Sequence, residues 1–585
     1  MQAAGVGDKA AKAGGRQGRH KTVISAKGVK SIADALFEDG YRNDDVCRLS
    51  QLDLHHAARD LDRITVEAIP FMKAVTPYRF KIPIENTDDR GIKHVVHQML
   101  LPHELMAAVY ADNENMFHQI FGTRALEEFW SRQKSERLTR HPGFQRRRSK
   151  WIIPLRLFGD DAPVCNTNSV DTLLLCSCTA YKLPALLSKL PLCCTPIKHT
   201  DHSTFDAIHR VVMWSLEILA SGVWPATNHE GGQWPETDRR YQLGRLQSRL
   251  MGRFTAIYWE TTGDWKWLVQ NFRLAWNYNR QEICFRCGAT KDGANTLTNF
   301  HRQAPRRLTK RTHQEYLATF EDAAVVPPLA QSAGFDLQEG TVMDWVHNNC
   351  LGVEQHASAN VLMELCAAGT FGVLRGRRHP KLTIQLKVAW REFKVFCKGR
   401  GLSNSQQVFT PASLNVSGGD NHWPELKCKA HNGMMVMEWL AHRLETLNQT
   451  DRIRHMSGVC SALSTCDSMF SEGDMWLSDA DILQVSRAKK TLFASWNWLA
   501  ADAMRQRQAR WKYIPKHHML EHQLEDVEAS GRNPASHWAF AEESMMGEAR
   551  RAAGRSFVPG IGRRCLFALN ARFGIAVENA AASGL

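Results

Sequence analysis

Trp151-Ile-Ile-Pro-Leu-Arg-Leu-Phe-Gly-Asp-Asp161 decides how this chain is read. An apolar run of strand length, bounded by a turn signal, reads as a buried strand that stops at Gly159-Asp160-Asp161. In α/β proteins, catalytic groups sit at the ends of core strands, so Asp160 is a candidate. A turn-forming Asp explains the same residue without any function. Successive side chains of a strand alternate faces, so only one of Asp160 and Asp161 can point into a given site.

Outward from this strand, Asp171 to Ala180 offers a second one, centred on Leu173-Leu-Leu-Cys-Ser-Cys178. Ile208 to Ala220 carries apolar residues at helical spacing, with Gly222 near its end. Phe254 to Trp259 reads as a strand leading toward Gly263-Asp264. After Asp344 the pattern is helix-dominated for about 150 residues, with segments at 353–367, 434–447 and 488–504. The expected division has five parts. Residues 1–25 form a disordered basic tail, and 26–150 a helical N-terminal region that ends in a basic linker. The first part of a mixed α/β core, bearing a CxxC, spans 151–350. A helical insertion covers 351–510, and 511–585 completes the core near Glu543. No internal repeat is visible.

Two metal-capable pairs lie far apart. Cys284-Phe-Arg-Cys287 supplies two thiols at a natural bite for zinc, and a structural zinc needs four ligands. Lys516-His517-His518-Met-Leu-Glu-His522 follows much later. His518 and His522 are i and i+4 on an expected helix and share one face, whereas His517 points elsewhere unless the helix is rotated. Together the pairs complete a Cys2His2 site that clamps the two ends of the insertion. An acid lies about 20 residues outside each pair: Asp264 before the cysteines, and Glu543, with Glu542 as its rival, after the histidines. Asp160, Asp264 and Glu543 beside a zinc clip suggest a magnesium-dependent nucleic-acid enzyme. Two ions held by such carboxylates can activate a hydroxyl and stabilise a leaving oxygen. Asp344-Trp-Val-His347 opens a further helix. Asp344 suits an N-terminal cap, and it is also the alternative to Asp264 as second acid.

Composition fits a polyanionic partner. The 585 residues carry 74 Lys and Arg against 60 Asp and Glu, a formal charge of +14. That excess attracts nucleic acid at long range. Arg132, Lys134, Arg137, Arg140, Arg146, Arg147, Arg148 and Lys150 form a basic run just before the first strand, and the N-terminal arm is basic too. Both are expected to contact DNA phosphates. Fifteen dispersed Cys argue for a reducing compartment rather than a disulfide framework. No apolar run is long enough to span a membrane. No phosphate-binding glycine loop, HExxH or GxSxG occurs, so ATPase, metalloprotease and serine-hydrolase chemistry lack their residues.

These features occur in a fixed order. An Asp follows a strand, and then come a Gly-Asp, a CxxC and a basic stretch with His (Asn299-Phe-His301-Arg302). An Asp-x-x-His, a Lys-x-His-x-x-x-His and an acid just before Met-Gly complete it. The order resembles the catalytic region of CACTA (En/Spm) DNA transposases and, more distantly, the Transib transposases and the RAG recombinase. The resemblance covers roughly residues 150 to 555. It implies an RNase H-like fold with a DDE triad, split by a large helical insertion. The triad falls on Asp160, Asp264 and Glu543, with Mg²⁺ or Mn²⁺. The zinc ligands fall on Cys284, Cys287, His518 and His522. It further implies DNA as partner, room for a homo-oligomer, and the nucleus as compartment. Trp265-Lys266 after Asp264 departs from the smaller residues expected there. Two alternatives stand beside strand cleavage and transfer: a transposase-derived DNA-binding scaffold without catalysis, and an unrelated helix-rich zinc-binding interaction protein.

Overall fold

In the computed structural model the described residues run from 26 to 582, apart from 42–43, 54–55, 86–90, 147, 166–167, 373–380, 418–421 and 554–559. The basic arm expected over residues 1–25 therefore lies outside them. The fold is mixed α/β. Two strands, β1 (Tyr78–Glu85) and β2 (Ile92–Met99), form an antiparallel hairpin inside the region expected to be helical. Its signal is a period of two: Tyr78, Phe80 and Ile82 are buried while Arg79 and Lys81 are exposed.

The central sheet has the order β5-β4-β3-β6, with β3 (Ile152–Cys165), β4 (Asn168–Ser177), β5 (Leu190–Pro196) and β6 (Thr255–Gly263). β4 is antiparallel to both β3 and β5, while β6 runs parallel to β3. The expected stop at Gly159 is corrected here, because β3 continues to Cys165 and Asp160 pairs with Thr172 of β4. What does stop is the parallel ladder, whose last pair is Gly159 with Gly263. Asp160 and Asp264 therefore follow the two halves of one closing rung. Every residue of β6 is buried, as expected of a strand covered on both faces.

A parallel pair needs a long crossover. Here it includes α1 (His202–Ser221), which packs on β6. This helix starts earlier than its apolar pattern implied. Asp201 and Thr204 form a reciprocal capping box, and Gly222 ends the helix in the left-handed region (φ 76°). α2 (Trp265–Asn271) starts directly behind β6. Residues 272–344 then run largely without regular structure and carry Cys284 and Cys287.

From Val346 the chain turns helical, first as a π-helical turn over Val346–Val353 and then as α3 (Glu354–Ala367), α4 (Leu382–Gly399) and α5 (Ala430–Glu445). α6 (Asp451–Glu472) and α7 (Asp479–Arg505) follow, and α8 (Pro515–Ser530) packs against both α7 and the π-helical turn. The last two helices return to the sheet: α9 (Phe540–Ala553) packs on β3, and α10 (Ile561–Ala582) packs on the β5 edge. No helix is long and apolar enough to cross a membrane among the described residues.

Candidate active site and metal centre

Glycine, tryptophan and a helix cap build the floor of the acidic site. Gly159 and Gly263 lie under the Trp267 indole: a Cβ at Gly159 would sit 2.0 Å from that ring, and one at Gly263 3.0 Å from it. This explains why each acid is preceded by glycine. It also accounts for the bulky Trp265-Lys266-Trp267 run, whose third residue covers the last rung of the ladder. Asp264 is the N-cap of α2, its carboxylate accepting from the Trp267 backbone N–H.

Alternation then sorts the two adjacent acids. Asp161 points toward α2, where Lys266 Nζ lies 2.9 Å from its carboxylate. Asp160 points to the opposite face, as Arg156 does, and Arg156 donates to the Ser536 carbonyl at 2.7 Å just before α9. Arg156 and Arg532 also flank the buried Glu260, with Arg156 Nη1 3.6 Å from it. Removing one member of such a buried network typically costs about 3–5 kcal/mol, so the approach of α9 to the sheet is firmly held.

α9 brings Glu543 to this face. Successive helical residues diverge by about 100°. Glu542 is accordingly fully buried, its carboxylate 2.6 Å from Lys189 Nζ, while Glu543 is 40% exposed and faces the acids. Between them stands His347. Its Nε2 lies 3.3 Å from Glu543 Oε1 and 3.9 Å from Asp160 Oδ2, and its Nδ1 lies 2.5 Å from Asp344 Oδ2. One ligand atom from each of Asp160, His347 and Glu543 falls within 4.8 Å of the others. Asp344 is spent on structure: it accepts from the backbone N–H groups of Val346, His347 and Ala539, the last at 2.8 Å. It thus caps the helix, orients the imidazole and ties α9 to the same point.

The electrostatics follow from crowding. Burial first, and then the nearby carboxylates of Asp264 and Glu543, push Asp160 up to about 7 despite the opposing pull of His347. Asp171, on β4 opposite Asp161, is pushed up to about 8 by burial, although the Trp267 indole donates to it at 2.9 Å. His347 is held well above its ordinary value: the surrounding carboxylates outweigh its burial. Burial pulls Lys516 below the ordinary lysine range, and Asp264 and Asp344 oppose that pull. Sequence reading gives Asp171, Lys266 and Lys516 no role at the acids; Lys266 is near Asp264 in the chain, whereas only the fold brings Asp171 and Lys516 there.

The second centre draws on distant parts of the chain. Cys284 Sγ lies 3.6 Å from His522 Nε2, and Cys287 Sγ lies 3.3 Å from His518 Nε2. A tetrahedron with bonds of 2.0–2.3 Å has sulfur–nitrogen edges of roughly 3.5 Å, so the four residues could hold one metal ion with little movement. All four ligand atoms lie within 4.8 Å of each other. The outer ring nitrogens face carboxylates: His522 Nδ1 is 3.3 Å from Glu525, and His518 Nδ1, which makes no hydrogen bond, is 3.5 Å from Glu521. Carboxylates in that position orient the imidazoles of metal sites. They are held in turn by Arg306 and Arg307. His517 is elsewhere, its ring packed on Trp496 at 4.3 Å.

A cavity of about 850 Å³ opens beside this centre. Many of its cations are already paired, Arg286 with Asp526 and Arg307 with Glu525 among them. The basic run before β3 is also partly internal. Arg137 is buried, its guanidinium 3.9 Å above Trp259 and donating to the Trp259 carbonyl, whereas Lys134, Arg148 and Lys150 are exposed. The Arg147 position and the Arg146 side chain fall outside the described residues. Comparison of the chain with protein-family models and with curated proteins finds no match.

Proposed function

We propose that the chain is a transposase-like enzyme that cleaves and transfers DNA strands from an RNase H-like core, with Asp160, Asp264 and Glu543 as a DDE triad. The observation that supports this reading is the meeting of Asp160 and Glu543 at His347, with Asp264 one residue past the same closing rung on the adjacent strand, near enough to act on Asp160 by charge. The donor set suits Mg²⁺ or Mn²⁺, being made of hard oxygens with no Lys or Arg ion-paired to Asp160 or Glu543 among the described residues. Bound there, such ions would activate water or a DNA 3′-hydroxyl and neutralise charge developing on the phosphate.

The chain's own groups serve the same end. Asp344 holds His347 so that a proton on Nε2 faces the acids, where an incoming phosphate oxygen can accept it. The Trp267 indole closes the sheet side of the site. Cys284, Cys287, His518 and His522 hold a structural Zn²⁺ that ties the CxxC segment to α8, at the two ends of a helical insertion. DNA runs along exposed Lys134, Arg148 and Lys150, and the nucleus is the compartment in which such a protein works.

The test is nicking and joining of DNA that carries the ends of the chain's own element, with Mg²⁺ or Mn²⁺. Asp160→Asn and Asp264→Asn should abolish product while DNA binding survives. A second reading, a DNA-binding derivative without catalysis, draws on one observation: Asp264 is already engaged as the cap of α2, beside the Lys266 ammonium. Wild-type protein that binds this DNA and never nicks it supports that second reading.

A further inference from the structure

A second set of donors lies behind His347, wholly inside the helical part. Cys350 is on the π-helical turn, Glu354 opens α3, and Asp467 comes from α6. All three are buried, and one ligand atom from each lies within 4.8 Å of the other two. Asn349, also fully buried, aims its amide into the group: its Nδ2 is 2.5 Å from Glu354 Oε1 and 3.3 Å from Asp467 Oδ1. Trp345 Nε1 donates to the same Asp467 oxygen at 2.8 Å.

Glu354 Oε2, Asp467 Oδ2 and Asn349 Oδ1 are buried and meet no donor group, and the two carboxyl groups lie close enough to hydrogen-bond each other if one holds a proton. Among the described residues no Lys, Arg or His forms an ion pair with Glu354 or Asp467. Two carboxylates in a dry interior are costly unless a cation or a shared proton compensates them. Space has been kept for them as well. A Cβ on Gly433 of α5 would lie 3.6 Å from Glu354 Oε2 and 3.3 Å from the sulfur of Cys428, so a second thiol borders the cluster.

We propose that Cys350, Glu354 and Asp467 bind a buried Zn²⁺, with the amide oxygen of Asn349 as fourth donor after a flip of its side chain. One sulfur and two carboxylate oxygens are a normal ligand set for this borderline cation, and two carboxylates balance its charge. Amide oxygen and nitrogen are exchanged by a half-turn of the side chain, which the cluster permits because Asn349 Nδ2 already faces both acids. The ion ties α6 and α3 to the π-helical turn. That turn also carries His347, three residues before Cys350, so the tie fixes the helical part against the acidic site. Single π-turns within helices are frequent at functional sites, and this one carries both His347 and Cys350.

The experiment uses the full chain purified with added Zn²⁺ and dialysed. Metal analysis should give two zinc ions per chain, and X-ray absorption should give an average shell that contains oxygen at about 2.0 Å besides nitrogen and sulfur. The double variant Glu354→Gln with Asp467→Asn keeps volume and removes both charges. It should retain one zinc, lose the oxygen component, and show a lower Tm than wild type in zinc. One zinc per wild-type chain with a purely nitrogen and sulfur shell overturns the proposal. So does a double variant that keeps the full zinc content, or one that melts higher than wild type in zinc, the result expected of a proton-sharing acid pair. Neither readout uses DNA, so failure here is separable from failure of the strand-transfer reading.

Discussion

The Cys2His2 cluster and the carboxylate site share one topology and differ in finish. Each joins residues far apart in the chain across the same helical part. At the cluster, three of the four ligands are buried, both outer ring nitrogens meet carboxylates, and those carboxylates meet arginines. The acidic site is half-open. Glu543 is 40% exposed, Asp264 doubles as a cap, and a histidine stands among the acids. A closed, fully supported tetrahedron is what a structural ion needs, and an open site with hard oxygens is what a reacting phosphate needs.

The largest effect should come from the closed cluster. Cys287→Ser or His518→Asn removes a ligand to which 272–344, a segment largely without regular structure, is anchored. Zinc binding in such sites contributes on the order of 10 kcal/mol or more to folding, so loss of the cooperative thermal transition is expected, together with loss of zinc. A variant that melts like wild type and still lacks zinc would reduce the cluster to a packing contact.

Next come the acids. Asp160→Asn keeps volume and removes a charge that the interior resists. Strand cleavage should fall by about 10²–10³-fold or more, the scale seen when one charge-stabilising group is removed from an active site. DNA affinity should change little, as checked by titration in the same buffer. Residual wild-type rates in Asp160→Asn and Asp264→Asn would place the chemistry elsewhere.

Glu542 and Glu543 test the comparison within a single helix. Glu542→Gln leaves Lys189 buried without its partner and should cost about 3–5 kcal/mol of stability. Glu543→Gln should leave Tm within a degree or two and abolish cleavage, because its carboxylate faces the acids and solvent. Thermal melts and nicking assays on the pair separate the roles. If Glu542→Gln loses activity at unchanged stability, the third acid is the buried one.

Sequence reading went furthest where chemistry imposes spacing. A CxxC bite, an i, i+4 histidine pair and Gly-Asp at a strand exit are local signals, and the fold brings each together with its distant partner. It went least far where neighbours decide. β5 was not anticipated, since Leu190-Pro-Leu-Cys-Cys-Thr-Pro196 carries prolines at both ends. The β1–β2 hairpin lies where the pattern predicts helix, although burial alternates along the first part of β1. Asp344 was weighed as a cap, and it is one, but its second task of aiming His347 at Asp160 and Glu543 depends on α9 arriving from 195 residues away. Arg137 belongs to the basic run expected at the surface and is instead buried over Trp259. Its exchange of water for an aromatic face and two carbonyls is set by the tertiary fold.

A smaller effect concerns pH. Asp160 titrates near 7 in the folded chain, against an ordinary value of 3.8. The folded state therefore holds this proton more tightly than the unfolded state does. Its contribution is fully favourable below about 4 and is lost as pH rises through about 7. Without added Mg²⁺, wild type should lose Tm between pH 5 and 8, and Asp160→Asn should lose less. Millimolar Mg²⁺ should flatten the wild-type curve by supplying the compensating charge. Parallel curves for the two proteins would mean that the carboxylate is already compensated.

The smallest effect is expected on the surface before β3. Lys134, Arg148 and Lys150 are exposed, while Arg137 is committed to Trp259 and Arg140 lies 2.6 Å from Glu136. Arg132 and Arg140 are exposed too but pair with Glu128 and Glu136, so among the described residues of the run Lys134, Arg148 and Lys150 are the unpaired candidates for phosphate contact. Each contact releases a condensed counterion, so one lost contact should lower the slope of log affinity against log salt by about 0.9. Arg148→Ala should therefore weaken binding modestly, equally on specific and unrelated DNA, because phosphate contacts carry no sequence information. Arg140→Ala should leave the slope unchanged, since its charge is already matched within the helix. Equal slopes for Arg148→Ala and wild type would remove this face from the DNA path and leave the run as solvated surface.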